Sequence, residues 1–146
     1  MVLLTILLAT FAATSLMTAF SYLISAAFRK LYKEPLLLQY LLTRFHFGLT
    51  GIWKMIVGWA IHYMIGLTFV MTYYILWRYN LIDITWLSGL AFGSVIGIIG
   101  IGGWATMFIL SDYKPRIDFK GYYLQLFFAH LIFGMTTYAV YKLLML

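Results

Sequence analysis

Apolar residues run in four long stretches, over 1–28, 52–77, 84–110 and 122–141, and the short segments between them hold most of the charge. Crossing about 30 Å of hydrocarbon takes roughly 20 predominantly apolar residues in a helix, so each stretch is predicted to span a bilayer. Between the first two lies Glu34-Pro35-Leu36-Leu37-Leu38-Gln39-Tyr40-Leu41-Leu42-Thr43-Arg44. That run is too short to span, and Pro35 after an acidic residue suits the first turn of a helix. A short interfacial helix over 35–45 is expected there, in the headgroup layer, covering the inner ends of the bundle. The expected fold class is an all-α membrane protein: one domain over 1–146, a four-transmembrane-helix bundle of two hairpins plus the interfacial helix.

Composition agrees, since 64% of the residues are hydrophobic and 10% charged, far from the soluble average. Cysteine is absent, which excludes disulfides, thiolate metal sites, cysteine nucleophiles and covalent c-type haem. The first stretch carries no charge and lacks the basic n-region of a cleaved secretory signal, so it is expected to be retained.

The net charge of +6 is informative through its placement. Arg29, Lys30, Lys33, Arg44 and Lys54 lie in or beside the first loop, and Lys114, Arg116 and Lys120 in the third; Arg78 and Lys142 are at the opposite ends. The positive-inside rule then puts the first and third loops in the cytoplasm and both termini outside. Topology and anionic headgroups account for these residues, so the lipid bilayer is the expected partner and nucleic acid is not. Further membrane subunits or a second copy of the chain are additional expected partners.

The second and fourth spans carry one pattern twice. His62, Gly66, Thr68 and Tyr73 recur 68 residues later as His130, Gly134, Thr136 and Tyr141. Each hairpin enters, turns and leaves in the same direction, so the expected relation is a parallel internal repeat about an axis along the membrane normal. The third span has Gly89, Gly93 and Gly97 at intervals of four, then Gly100, Gly102 and Gly103. Such spacing predicts close helix packing. Trp53, Trp59, Trp77, Trp86, Tyr79, Tyr122 and Tyr123 fall near span ends and are expected as interfacial anchors, whereas Trp104 is deeper and expected in the bundle.

Histidine inside a span is costly unless it faces protein, water or a ligand. His62 is eight residues past Lys54 and His130 ten past Lys120, or roughly 12 and 15 Å into the membrane at the helical rise. Gly58, His62 and Gly66 share a face, with Tyr73 returning to it; Gly134 and Tyr141 stand likewise to His130. In an up-and-down bundle these two helices are diagonal, with axes roughly 12 to 14 Å apart. Three readings follow. Each histidine hydrogen-bonds a carbonyl or hydroxyl of a neighbouring helix; or both ligate a b-type haem, with Gly58, Gly66 and Gly134 giving room; or one imidazole serves a lipid, quinone or proton site, with Thr68, Thr136, Tyr73 and Tyr141 as further partners. Two histidines without carboxylates or thiols fall short of a zinc site.

None of Glu34, Asp83, Asp112 and Asp118 falls in a predicted span, so the intramembrane carboxylates of ion-coupled transporters are not expected. His46 is expected at the headgroup level, and no nucleophile, base and acid converge for hydrolysis.

The runs Gly58-Trp59-Ala60-Ile61-His62-Tyr63-Met64-Ile65-Gly66 and His130-Leu131-Ile132-Phe133-Gly134 with Tyr141, and Ala-Thr-Ser-Leu-Met-Thr over 13–18, resemble small bacterial four-span membrane proteins of the YagU-like inner-membrane group. The resemblance implies the four-span fold and a bacterial cytoplasmic membrane, and it implies no activity. The chain departs from the group's pattern at Ala12 or Ala13, where a glycine is usual, and in the insert over 35–44. The expected function is non-enzymatic, through association with lipid or membrane subunits. The alternatives are a haem b or other redox-cofactor carrier on His62 and His130, and a small-molecule transporter or channel.

Overall fold

The computed structural model describes residues 1–45, 48–112 and 115–145. It is all-helical, with α1 over Val2–Phe28, α2 over Glu34–Arg44, α3 over Gly51–Arg78, α4 over Trp86–Leu110 and α5 over Phe119–Met145. α1, α3, α4 and α5 are long and apolar enough to cross a membrane; at about 1.5 Å per residue each measures roughly 40 Å. The chain is thus a multi-pass membrane protein in a lipid environment. His46 and Lys114 lie outside the described residues.

Helix ends follow local chemistry. Thr85 and Ser88 form a reciprocal capping box at the start of α4, which satisfies amide groups that would otherwise be orphaned. α5 begins at Phe119, three residues before the predicted span, because Asp118 accepts a hydrogen bond from the Gly121 amide at 3.1 Å. Asp118 also pairs with Lys30 at 2.5 Å, tying the first and third loops together at one end of the bundle. The Lys30 ammonium and the Gly121 amide hold the Asp118 carboxyl down at about 2. The start of α1, the α3–α4 turn and the end of α5 are at the other end; the Lys30–Asp118 end is termed inner and the opposite end outer, as names for the two ends of the bundle alone.

Around the bundle the order is α4, α5, α1, α3, with α4 packed closely on α5, α5 on α1 and α1 on α3. α3 and α5, which carry the histidines, are therefore diagonal, as expected. Glycine permits the tightest crossing. A Cβ at Gly93 would stand 2.6 Å from the His130 carbonyl oxygen, and one at Gly134 would collide with the Gly89 carbonyl. Backbone thus meets backbone across α4 and α5, the van der Waals contact that drives association in lipid.

The core has two halves. The outer half joins Ala9, Ala13, Val70, Tyr73, Phe133 and Tyr141. In the inner half Leu37, Leu38 and Leu41 of α2 pack on Trp104, Phe108, Tyr122 and Leu126. α2 covers the inner end of the bundle and buries its apolar face there, leaving Tyr40, Thr43 and Arg44 exposed. Gly58 admits α2 against α3, since a Cβ there would lie 2.8 Å from Gln39 Cγ. Tyr122, expected as an interfacial anchor, is instead fully buried between Tyr32 and Trp104. Trp104 is buried, as expected.

The crossing makes a sharp expectation. Gly93→Val should cost about 1–3 kcal/mol, the usual penalty of overpacking, measured by unfolding in detergent. Gly102→Ala should not destabilise, because a Cβ there meets no atom within 4 Å and alanine favours the helix over glycine.

Candidate functional site

One face of α1 is lined with hydroxyls: Thr10, Thr14, Thr18, Ser21 and Ser25 are all buried. In a spanning helix such groups ordinarily bond the carbonyl four residues back. Thr10 does so to Ile6 at 2.8 Å and Thr18 to Thr14 at 2.6 Å. Thr14 Oγ1 has no partner among the described residues. It faces Gly66 of α3, where a Cβ would collide with it.

This stripe receives the chemistry of the other helices. His62 Nε2 lies 2.8 Å from Thr18 Oγ1. Ser21 donates to Glu34 Oε1 at 2.8 Å and accepts from Gln125 Nε2 at 2.5 Å. Gln125 also reaches Glu34 Oε1 at 3.4 Å. Ser21, Glu34 and Gln125 thereby join α1, α2 and α5. Glu34 Oε2 and Gln125 Oε1 have no partner among the described residues.

Glu34 lies outside the four long helices, as expected, yet α2 buries it in the bundle and leaves it 1% exposed. The chain turns back after α1, and α2 carries its own first residue into the bundle. Burial pushes the Glu34 carboxyl up to about 7, against the opposing hydrogen bonds from its own backbone amide, Ser21 and Gln125.

Between the helices is a cavity of about 180 Å³. Its polar lining is Thr14, Glu34, His62 and His130; the rest includes Met17, Gly66, Phe69, Trp104, Leu126 and Phe133. Both histidines are inward-facing, at 6% and 4% exposure, each eleven residues from the first residue of its helix. His130 donates from Nδ1 to the Leu126 carbonyl at 2.8 Å, a bond within its own helix. His62 bonds across to α1, so the expected interhelical bond is made by one histidine of the two.

The rim includes Ile65, Ile99 and Gly103, all exposed on the lipid-facing side between α3 and α4. Phe69 and Ile99 are shared with a second, apolar groove of about 430 Å³ that runs toward the outer end between the same helices.

The repeated positions divide. The histidines meet at the cavity, and Tyr73 and Tyr141 pack 5.8 Å apart in the outer core. Gly66 lines the cavity, whereas Gly58 serves α2 and Gly134 serves α4. Thr68 and Thr136, expected as ligand partners, bond their own helix carbonyls at Met64 and Ile132 and line no part of this cavity. Six residues past histidine, about 100° of turn each, carries them off its face.

The haem reading finds poor accommodation. An apolar cavity of about 150 Å³ holds one benzene ring, so about 180 Å³ suits a single ring rather than a macrocycle. His62 Nε2 is also committed to Thr18. Among the described residues no group of three or more His, Cys, Asp or Glu side chains is placed to hold a metal ion.

The residues that sequence reasoning missed are Glu34, Ser21, Thr14 and Thr18. The hydroxyl spacing of α1, every three or four residues, was the available signal.

No protein-family model, curated protein or solved structure matches the chain. Fold and site define the class directly: a helical multi-pass membrane protein with a polar-tipped cavity opening sideways between two spans.

Glu34 sets a pH dependence. Its folded value of about 7 lies above the ordinary 4.5, so its contribution is full below about 4.5 and is lost as pH rises through about 7. The thermal midpoint of the purified protein should fall between about pH 5 and 8, and Glu34→Gln should flatten that slope. A slope unchanged in the variant would refute the assignment.

Proposed function

We propose that the protein binds a membrane-soluble amphiphile with a single-ring, hydrogen-bonding head, which enters from the bilayer between α3 and α4. The observation that carries this is one ring-sized cavity lined by two inward imidazoles, the Thr14 hydroxyl and the Glu34 carboxyl, with its rim on the lipid-facing side. The head group would occupy the cavity and the apolar tail the groove that shares Phe69 and Ile99. This is the non-enzymatic, lipid-associating reading in a specific form. Pockets that take small ligands are mostly apolar with a few placed polar groups, which matches this lining.

The same proposal puts the protein in a bacterial cytoplasmic membrane, as the YagU-like resemblance implies, with both termini outside. Arg29, Lys30, Lys33, Arg44, Lys54, Arg116 and Lys120 share the loop end that carries the Lys30–Asp118 bridge. Because the chain has no cysteine, Lys30→Cys and Leu144→Cys can be labelled one at a time in intact cells. An impermeant maleimide should reach position 144 and spare position 30; the reverse pattern would invert the orientation.

Trp104 lines the cavity and reports occupancy. With the full chain in lipid nanodiscs, 4-nonylphenol should perturb tryptophan fluorescence, and Trp104→Phe should remove that component. Gly103→Leu, at a rim position where a Cβ meets nothing within 4 Å, should weaken binding by about tenfold or more, a loss of at least about 1.4 kcal/mol. An undiminished signal in Gly103→Leu would sink the proposal.

A further inference from the structure

The hydrogen bonds around the two imidazoles fix which nitrogen carries the proton. Thr18 has one hydroxyl hydrogen, and it goes to the Thr14 carbonyl at 2.6 Å, because a carbonyl only accepts. Thr18 Oγ1 therefore accepts from His62 Nε2 at 2.8 Å. A neutral imidazole that donates from one nitrogen accepts at the other, so His62 Nδ1 carries a lone pair. The same reasoning applies to His130, whose Nδ1 is 2.8 Å from the Leu126 carbonyl and must donate to it. Its lone pair is then on Nε2.

That nitrogen lies beside Gly100, and His130 and Gly100 both line the cavity. A Cβ built at Gly100 would lie 3.2 Å from His130 Nε2 and 3.0 Å from Cε1, and Gly100 is itself a lining residue. Neither His62 Nδ1 nor His130 Nε2 is hydrogen-bonded to a described residue. The apolar walls of Phe133, Leu126 and Met17 supply no donor. A head group that only accepts hydrogen bonds, such as an ether or ketone oxygen, could be met by the unpartnered Thr14 hydroxyl but would leave the imidazole acceptors unanswered, and a buried polar group without a partner is costly.

Building on the cavity reading above, we infer that the site selects ring-headed amphiphiles that bear a hydroxyl, with His130 Nε2 accepting the hydroxyl hydrogen. The ligand class is thus phenolic or hydroquinone-like, in preference to its ether or quinone counterpart. The inward Thr14 hydroxyl and the Glu34 carboxyl can bond the oxygen or a second hydroxyl of the same ring.

The test compares 4-nonylphenol with 4-nonylanisole, which has the same ring and tail but a methoxy group in place of the hydroxyl. Both are titrated against the full chain in nanodiscs, read by the Trp104 component. The phenol should bind about tenfold tighter or more, and His130→Phe should reduce that preference by weakening the phenol while leaving the anisole unchanged. Anisole binding in the variant also shows that it is folded. Equal binding of the two probes, both abolished by Gly103→Leu, would overturn this inference and leave the cavity reading intact. Failure of both probes to bind would defeat the cavity reading and this inference together. A full preference persisting in His130→Phe would overturn the role given to His130; should that variant fail to fold, the comparison in the unmodified protein decides.

Discussion

A polar group buried in a membrane bundle must find its partner inside the protein, and the Ser21 hydroxyl is where this one meets that demand for three helices at once. It accepts from Gln125 of α5 and donates to Glu34 of α2, while α1 holds it in place. The leucines of α2 supply the apolar drive to dock, but docking carries Glu34 with them, and an isolated buried carboxyl is expensive. Ser21 and Gln125 offset that cost, so the inner half of the core, in which Leu37, Leu38 and Leu41 meet Trp104 and Tyr122, depends on them. The cavity depends on them too. Glu34 and Leu38 form part of its wall, and without α2 in place that end of the bundle would be open.

The elements legible in the sequence were those set by local pattern. Four apolar stretches of sufficient length became four helices, because length and composition alone decide what can cross a bilayer. The inward direction of His62 and His130 followed from the cost of exposing imidazole to lipid, and the glycines at intervals of four gave the α4–α5 crossing. What escaped was set by chain reversal. Glu34 before Pro35 has the signature of a helix start, and nothing nearby in sequence says that the helix it starts will fold back against α3 and carry Glu34 to Ser21. Its partners Ser21 and Gln125 are 13 and 91 residues away. Thr68 and Thr136 do not join the histidines at the cavity, although Thr68 lines the adjoining groove. Recurrence in the sequence suggested a shared role, yet helical geometry turns both from the histidine face, and each satisfies itself on its own helix.

Glycine does separate jobs at positions that look alike. Gly66 and Gly134 occupy corresponding places after the two histidines, but the first makes room for a side-chain hydroxyl and the second for another backbone. The two histidines differ in the same way: His62 is anchored across the bundle to α1, and His130 along its own helix. The site is consequently asymmetric, despite the matching residues that build it. An asymmetric pair can orient one head group, whereas two equivalent imidazoles would offer it two equal poses.

The direction in which the cavity opens bears on what passes through it. The core toward the outer end is filled by the aromatic cluster of Tyr73, Phe92, Trp77 and Tyr141, with ring centroids 5.0 to 5.8 Å apart. Toward the inner end the cavity is closed by α2 and the Glu34 network. A channel or transporter needs polar groups continuing to both faces, but here the polar lining is confined to the middle and the inner wall. The remaining way out lies between α3 and α4, whose crossing is loose compared with the glycine-packed α4–α5 pair. That exit leads to Ile65, Ile99 and the apolar groove beyond, surfaces matched to hydrocarbon rather than to water. A solute arriving from water would have to cross lipid first, whereas an amphiphile already in the bilayer would need only to turn its head inward.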